Sequence, residues 1–503
     1  MSTPKKFYIT TTLPYVNSAP HIGFALEIIQ ADAIARYKKL CGYEVIFNTG
    51  TDEHGLKIFR KAEELGQDPK TYCDEYAEKF RVLKSALNLS FTHFIRTTDD
   101  YHLSASQEFW KRCMKNGDIY KKAYKVKYCV GCELEKTDSE LADGRCPVHP
   151  NLDIEHVEEE NYFFRFSKFQ KPLLDLYKKN PDFVLPPHRL LEISNFVESG
   201  LEDFSISRLK AKMPWGVPVP DDDEHVMYVW FDALINYIST LGWPNDEDSY
   251  SAWWPGTQIA GKDNLRQQSS MWQSMLLSAG LPPSRQILIH GFITSEGQKM
   301  SKSLNNVVDP IEMVEKYGID ALRYYLLREI PTYEDGDFSQ ARFDALYQSD
   351  LADTLGNLVN RVITMVHKYF GGNIPQTDFD PPLKNLYKST IDSYVKNIES
   401  FQIKEAVEQV LTILRDMNSH IDSTKPWQLA KEKKETELAN SLVYVLECVR
   451  IAAILLWPVI PGTSEKIAAM LRFPIVELPT GEQYFKAGMR VLSPEILFAK
   501  KDV

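Results

Sequence analysis

The segment from Phe7 to Phe47 limits what this chain can fold into more than any other. Phe7-Tyr8-Ile9-Thr10-Thr11-Thr12 is β-branched and aromatic, as a strand requires. Leu13-Pro14-Tyr15-Val16-Asn17-Ser18-Ala19-Pro20 then punctuates the chain. Helical periodicity runs from about His21 to Leu40 and stops before Gly42, and Tyr43-Glu44-Val45-Ile46-Phe47 reads as a second strand. Strand, helix and strand at this spacing form a βαβ unit, which commits the chain to a parallel sheet.

The same alternation is expected to resume later. Val226-Met227-Tyr228-Val229-Trp230 reads as a strand followed by a helix to about Leu241. Gln258-Ile259-Ala260 precedes Gly261-Lys262-Asp263, and Gln286-Ile287-Leu288-Ile289-His290 precedes Gly291. Between the two blocks the sequence is broken into short runs and turn signals, as in an insertion with a small fold of its own. From about residue 350 it is almost wholly helical in period, with a Gly/Pro-rich break at 371–382. At 503 residues the chain has room for three or four domains of roughly 150 residues. The expected division is a first α/β half at 1–115, the insertion at 116–225, the second α/β half at 226–349, and a helical domain at 350–503.

Apolar residues at 44% and charged residues at 25% are ordinary for a globular chain. The net charge of −11 excludes coating of nucleic acid by bulk charge, though not a local basic face. The longest apolar run, near Ile451–Trp457, is far short of a membrane span, so no membrane association is expected. The start has no apolar leader, and seven cysteines is an odd and small count, so the expected setting is the reducing cytoplasm.

Three patterns carry chemistry. Pro20-His21-Ile22-Gly23-Phe24 opens the first helix, where free N–H groups and the dipole attract phosphate. His21 can donate to a phosphoryl oxygen, and Gly23 lets a nucleoside approach the backbone. Lys299-Met300-Ser301-Lys302-Ser303 follows Gly297-Gln298, and its two lysines can neutralise charge that builds on a triphosphate in the transition state. Taken singly, each also reads as a cap or a solvated turn; their order on this sheet pattern favours the phosphate reading. Cys129-x2-Cys132 is followed after 13 residues by Cys146-x2-His149. Three thiolates and one imidazole on two short knuckles fill a tetrahedral Zn2+ shell and leave no position open for catalysis. Cys41, Cys73, Cys113 and Cys448 read instead as core residues.

The pair His21-Ile22-Gly23 and Lys299-Met300-Ser301-Lys302-Ser303 resembles the two signatures of class I aminoacyl-tRNA synthetases. With Leu13-Pro14-Tyr15-Val16-Asn17, Thr51-Asp52-Glu53-His54-Gly55, Val229-Trp230-Phe231-Asp232-Ala233-Leu234 and Gly261-Lys262-Asp263, the chain resembles the methionyl-tRNA synthetase family along essentially its whole length. The resemblance implies a split Rossmann-type α/β domain, a zinc-bearing insertion and an all-α anticodon-binding bundle. It implies activation of L-methionine by ATP, with Mg2+, and transfer of the methionyl group to tRNA(Met). It assigns Asn17, His21, Gly23, Gly261, Lys262, Asp263, Lys299, Ser301 and Lys302 to ATP, with His21, Lys299 and Lys302 as the catalytic residues. Leu13, Tyr15, Trp230, Ala233 and Tyr237 become the walls of a methionine pocket and Asp52 the partner of the ammonium group. Without it, Trp230 and Tyr237 read more simply as core, while Asp52 stands at the end of a parallel strand, where such sheets bind ligands. Asn357, Arg361 and Trp427 are assigned to the anticodon. On their own they read as a polar pair on a helix face and a packed indole.

Two departures stand out. Phe24 occupies the position of a second histidine in the nucleotide signature, and Gln267-Gln268 stands where the family tends to have Phe-His. A related synthetase for cysteine or a branched aliphatic residue is the nearest alternative reading. A non-catalytic RNA-binding protein on the same scaffold is the other, with Phe24 in its favour. The chain closes shortly after the helical segment, with no room for a further β-barrel, so a monomer is expected.

Overall fold

The computed structural model describes residues 5–17, 19–132, 134–136, 138–298, 300, 306–377, 383–479 and 483–500. Lys299, Ser301 and Lys302 lie outside the described residues.

Six parallel strands form the central sheet, in the order His93–Arg96, Glu44–Thr51, Lys6–Thr10, Thr257–Gly261, Gln286–His290 and Val184–Leu185. The first βαβ unit forms as the sequence dictates: the helix Ile22–Leu40 follows the strand Lys6–Thr10 and leads into Glu44–Thr51. That helix is buried nearly all round, between the sheet and the later helices, so its sequence is apolar with little amphipathic contrast. Strand order reverses between Lys6–Thr10 and Thr257–Gly261, and this switch point at the carboxyl ends of the strands is where open α/β sheets form a crevice.

The edge strand Val184–Leu185 comes from within 116–225, so that segment returns to the central sheet. The rest of it carries a four-stranded antiparallel sheet in the order Leu134–Lys136, Ile119–Cys129, Glu155–Phe164 and Phe204–Ser205. Resumption of the parallel sheet at Val226–Trp230 is not observed. Asp222–Met227 pairs antiparallel with Ser207–Leu209 and Pro218–Val219, and Trp230 sits on the helix Val229–Ala233. A short apolar run serves either kind of sheet equally well, so its period could not distinguish them.

The C-terminal part is helical, with Asn357–Phe370, Ile403–Thr424, Glu435–Leu456 and Pro461–Leu471 as main elements. Glu435–Leu456 is long and apolar enough to cross a membrane, but 89% of its most apolar window is buried within the domain, as in a core helix. After Leu471 no helix forms among the described residues, against the expectation of helix to the end. Pro474, Pro479 and Pro494 interrupt the pattern, and the segment packs back, burying Phe485 and Val491.

Candidate active site

A cavity of about 660 Å³ opens at the switch point. Thr12, Leu13 and Tyr15 reach it from beyond the strand Lys6–Thr10, Asp52 from the end of Glu44–Thr51, Gly261 and Asp263 from the end of Thr257–Gly261, and His290 from Gln286–His290. Trp230, Ala233 and Tyr237 close one side from the two short helices Val229–Ala233 and Asn236–Ser239. Trp230 Nε1 is buried and has no hydrogen-bond partner among the described residues. His21 and Gly23, at the start of the helix Ile22–Leu40, also line it.

Asn17 does not line the cavity, nor does Lys262, whose Nζ lies 2.6 Å from Asp335 Oδ2 and over the Phe292 ring at the rim. Of the lysine signature only Met300 is described, and it lines the cavity together with Val307. The N–H of Ile22 donates to the carbonyl of Val308 at 3.1 Å, which ties the chain following that signature to the start of the first helix.

His21 caps its own helix: its Nδ1 accepts from the Gly23 N–H at 3.1 Å. That fixes the tautomer, since an accepting Nδ1 leaves the proton on Nε2. The ring stands at the mouth of the cleft, yet enough protein surrounds it to disfavour its charge, and burial lowers its pKa. A Cβ on residue 23 would come within 2.9 Å of this ring, so glycine makes room for the cap as well as for a ligand. Two of the amides expected to be free at this helix start are therefore already taken. Phe24 lines the cavity and packs edge-on against Phe80, with ring centroids 5.1 Å apart.

Sequence reasoning missed a buried pair in the same cavity. Glu27 Oε1 accepts from the Thr12 N–H at 2.8 Å and its hydroxyl at 2.6 Å, while Oε2 lies 2.9 Å from His290 Nε2. His290 Nδ1 lies 2.7 Å from the Gly291 carbonyl, so both ring nitrogens face acceptors. Burial disfavours the imidazolium, but the Glu27 hydrogen bond and charge outweigh it and raise the pKa of His290. One signal could have found half of the pair: a histidine, His290, at the carboxyl end of a parallel strand.

The loop bearing Asp52 is anchored on both sides. Glu53 is fully buried, and its carboxylate meets Arg96 Nε at 2.6 Å and Nη2 at 2.8 Å. His54 Nδ1 lies 2.6 Å from Asp232 Oδ2. Asp52 itself exchanges backbone hydrogen bonds with the first-strand loop, from its N–H to Pro14 O at 3.0 Å and from Val16 N–H to its own carbonyl at 3.3 Å.

Away from the cavity, Cys129, Cys132, Cys146 and His149 converge, with all four ligand atoms within 4.8 Å of one another. Cys132 Sγ lies 3.5 Å from Cys146 Sγ and 3.2 Å from His149 Nδ1, and Cys129 Sγ lies 3.8 Å from that nitrogen. A tetrahedral ion with Zn–S near ~2.3 Å and Zn–N near ~2.0 Å has edges of about 3.5–3.8 Å, so the cluster can hold a metal ion. Gly131 is required by the fold of the knuckle, since a Cβ there would lie 2.5 Å from the His149 ring.

On the helical domain, Asn357 opens the helix Asn357–Phe370 and is exposed. Arg361, one turn on, bonds Asp422 at 2.8 Å on the neighbouring helix. Trp427 is 41% exposed, a large apolar surface left open to solvent.

Comparison with known proteins agrees with this architecture. The family described as "tRNA synthetases class I (M)" matches residues 7–154 and 136–363, and "Anticodon binding domain of methionyl tRNA ligase" matches 375–502. A methionine–tRNA ligase of Thermotoga maritima is 44% identical over 99% of this chain and 80% of its own. One from Thermosynechococcus vestitus is 45% identical over 93% of this chain and 90% of its own. The structure of Mycobacterium tuberculosis methionyl-tRNA synthetase in complex with methionyl-adenylate superposes with a TM-score of 0.92, at 37% identity, covering 99% of this chain and 100% of that one. Likeness of this extent, in sequence and in fold, means that the chain belongs to the methionyl-tRNA synthetase family of class I aminoacyl-tRNA synthetases.

Proposed function

We propose that this cavity activates methionine with ATP and passes the methionyl group to tRNA(Met). The methionine carboxylate attacks the α-phosphorus, forming methionyl-adenylate as pyrophosphate leaves. The 2′- or 3′-hydroxyl of the terminal adenosine then attacks the acyl carbon, and AMP leaves. The observation that carries this reading is the lining of one cavity by a carboxylate, Asp52, by the aromatic Trp230 and Tyr237, and by His21 at a helix start.

Asp52 takes the ammonium group, and Leu13, Tyr15, Trp230, Ala233 and Tyr237 enclose the side chain. Gly23 and Gly261 let the nucleoside approach the backbone, and Asp263 takes the ribose hydroxyls, while Asn17 and Lys262 contact ATP from outside the cavity lining. His21 donates from Nε2 to the phosphates, and Lys299, Ser301 and Lys302 hold the leaving pyrophosphate. Mg2+ bound to ATP would supply further neutralisation of the phosphate charge. Catalysis is then positioning and charge stabilisation, without a covalent nucleophile. Asn357, Arg361 and Trp427 read the anticodon by stacking and hydrogen bonding to unpaired bases.

Zn2+ is the proposed ion at Cys129, Cys132, Cys146 and His149, in a structural role. The proposed division at 1–115, 116–225, 226–349 and 350–503 gives each task its own segment. The chain is proposed to act as a cytoplasmic monomer, which sedimentation at micromolar concentration tests. Charging of tRNA(Met) with labelled methionine tests the whole reading. Accumulation of methionyl-tRNA(Met) supports it, and none with active ATP and intact tRNA contradicts it.

A further inference from the structure

A cleft of about 200 Å³ in the helical domain is lined from three helices, Leu383–Glu399, Ile403–Thr424 and Glu435–Leu456. Thr412, Asp416 and His420 line it at four-residue intervals, so they form one stripe of Ile403–Thr424. Asp422, which bonds Arg361, comes two residues after His420 and stands about 200° round the same helix. The cleft is therefore on a different face from the Arg361 pair. Ile413 and Met417, both buried, line it beside the stripe, and Thr390 and Tyr444 line it from the other two helices.

The neighbours of His420 assign its proton. The Thr424 hydroxyl donates to the His420 carbonyl at 2.8 Å, and a carbonyl only accepts. Thr424 Oγ1 is left to accept from the Ser441 hydroxyl at 3.3 Å, so Ser441 Oγ accepts in turn from His420 Nε2 at 3.0 Å. Burial lowers the His420 pKa, which keeps the ring neutral. With the proton on Nε2, Nδ1 holds a bare lone pair, and it bonds nothing among the described residues. Asp416, one turn earlier, is exposed, and its carboxylate has no hydrogen bond or ion pair among the described residues. The Thr412 hydroxyl spends its proton on the Glu408 carbonyl at 3.0 Å and is left as an acceptor. No lysine or arginine is among the lining residues.

The stripe thus offers acceptors, and the surface beside it is apolar. Such a lining fits a group that is all donor at one end and hydrocarbon at the other. A bare divalent ion fits it poorly. Asp416 and His420 are two ligands where a closed metal site has four, and Ile413 and Met417 give a hydrated ion nothing to bond. We propose that this cleft binds a primary alkylammonium ion, with the ammonium between the Asp416 carboxylate and His420 Nδ1 and the alkyl chain along Ile413, Met417 and the Tyr444 ring. An ammonium carries three donors and no acceptor, which matches the stripe. A free polyamine and the lysine side chain of a protein partner both have this chemistry. The proposal stands independently of methionine activation, since no residue of the first cavity takes part.

The test is calorimetric titration of the full, metal-replete chain at physiological salt. Spermidine is the probe for a free polyamine, and Nα-acetyl-lysine amide the probe for a lysine side chain. Saturable binding at one site per chain is expected, and the tighter of the two probes identifies the source. Asp416→Asn weakens it about tenfold, as loss of a charged hydrogen bond does, and His420→Phe, which keeps a ring but no acceptor, weakens it about threefold. Glu435→Gln removes the same charge at the start of Glu435–Leu456, outside the cleft, and leaves binding unchanged. That control separates a built site from the attraction of any cation to a chain of net charge −11. No saturable binding of either probe would overturn the proposal. So would equal weakening in Asp416→Asn and Glu435→Gln, or full displacement of the amine by stoichiometric Zn2+, which would make the stripe a metal site. Should His420→Phe not fold, Asp416→Asn, a change at an exposed position, decides by the same titration.

Discussion

His54 Nδ1 lies 2.6 Å from Asp232 Oδ2, and this contact joins the loop that carries Asp52 to the helix that carries Trp230. The other oxygen of Asp232 lies 2.8 Å from His102 Nε2, on the helix Asp100–Lys115. One buried carboxylate thus locks two walls of the cavity to a third element. Burial alone would disfavour its charge, but His54 and His102 outweigh that and hold its carboxyl well below the usual range. Asp232→Ala leaves both imidazoles without their acceptor and is expected to cost about 3 kcal/mol. It should also raise KM for methionine more than KM for ATP. Denaturant unfolding and exchange kinetics read the two effects. Because the folded-state pKa is depressed, the stabilisation is present above the ordinary aspartate range, near ~4, and is lost as pH falls through the folded value.

The Glu27–His290 pair has the opposite sign. The raised pKa of His290 means that its contribution to stability is complete below the unfolded value, near ~6.5, and is lost as pH rises through the folded one. The melting difference between the unmutated chain and His290→Gln should therefore be largest near pH 6 and shrink toward pH 9. A difference that grew with pH would contradict the assignment of a cationic His290.

Metal binding should couple to one lobe of the molecule. Chelation is expected to unfold the region around Ile119–Cys129 and Glu155–Phe164 while the central sheet persists, since the knuckle lies outside that sheet. Hydrogen exchange followed by mass spectrometry distinguishes the regions. Gly131→Ala forces a Cβ against the His149 ring and should weaken metal retention at least tenfold, comparable to disturbing a ligand's support.

Another buried charge pair joins the two large parts of the chain. Arg323 is fully buried, with Nη2 at 2.7 Å from Asp32 Oδ2, and it donates to the carbonyls of Val459 and Pro458, both at 2.9 Å, and of Leu87 at 3.1 Å. Asp32 lies on the first helix, and Pro458 and Val459 lie in the turn between Glu435–Leu456 and Pro461–Leu471. Arg323→Met is expected to destabilise by about 3–5 kcal/mol, because it leaves Asp32 with Arg36 as its one remaining cationic partner and several carbonyls without this donor. Arg323→Lys should not rescue it, since one ammonium cannot span the guanidinium's fork. Equilibrium unfolding measures both.

Much of this molecule was legible because its signals were local. The Phe7–Phe47 segment defined the parallel sheet, and the Cys-x2-Cys and Cys-x2-His pairs, short and spaced alike, meet as their spacing suggested. Asp52 could be singled out from strand-end position alone. The pairing of Glu27, Asp232 and Arg323 with their partners could not, because a polar residue's partner lies far along the chain and only the folded distance reveals it. Asp232 finds His54 across 178 positions, and Glu27 finds His290 across 263. Val226–Trp230 failed for another reason: an apolar run says that a strand is buried, not which sheet buries it. The irregular segment after Leu471 carried its own warning in three prolines, which helical periodicity upstream had masked.

The central claim is that this cavity activates methionine, and ATP–pyrophosphate exchange on metal-replete protein tests it most directly. With methionine, cysteine, leucine, isoleucine and valine supplied in turn, the account predicts exchange with methionine alone. It also predicts loss of most of that exchange in Lys299→Ala with methionine binding retained. Exchange with none of the five would contradict the account, and so would preference for one of the other four.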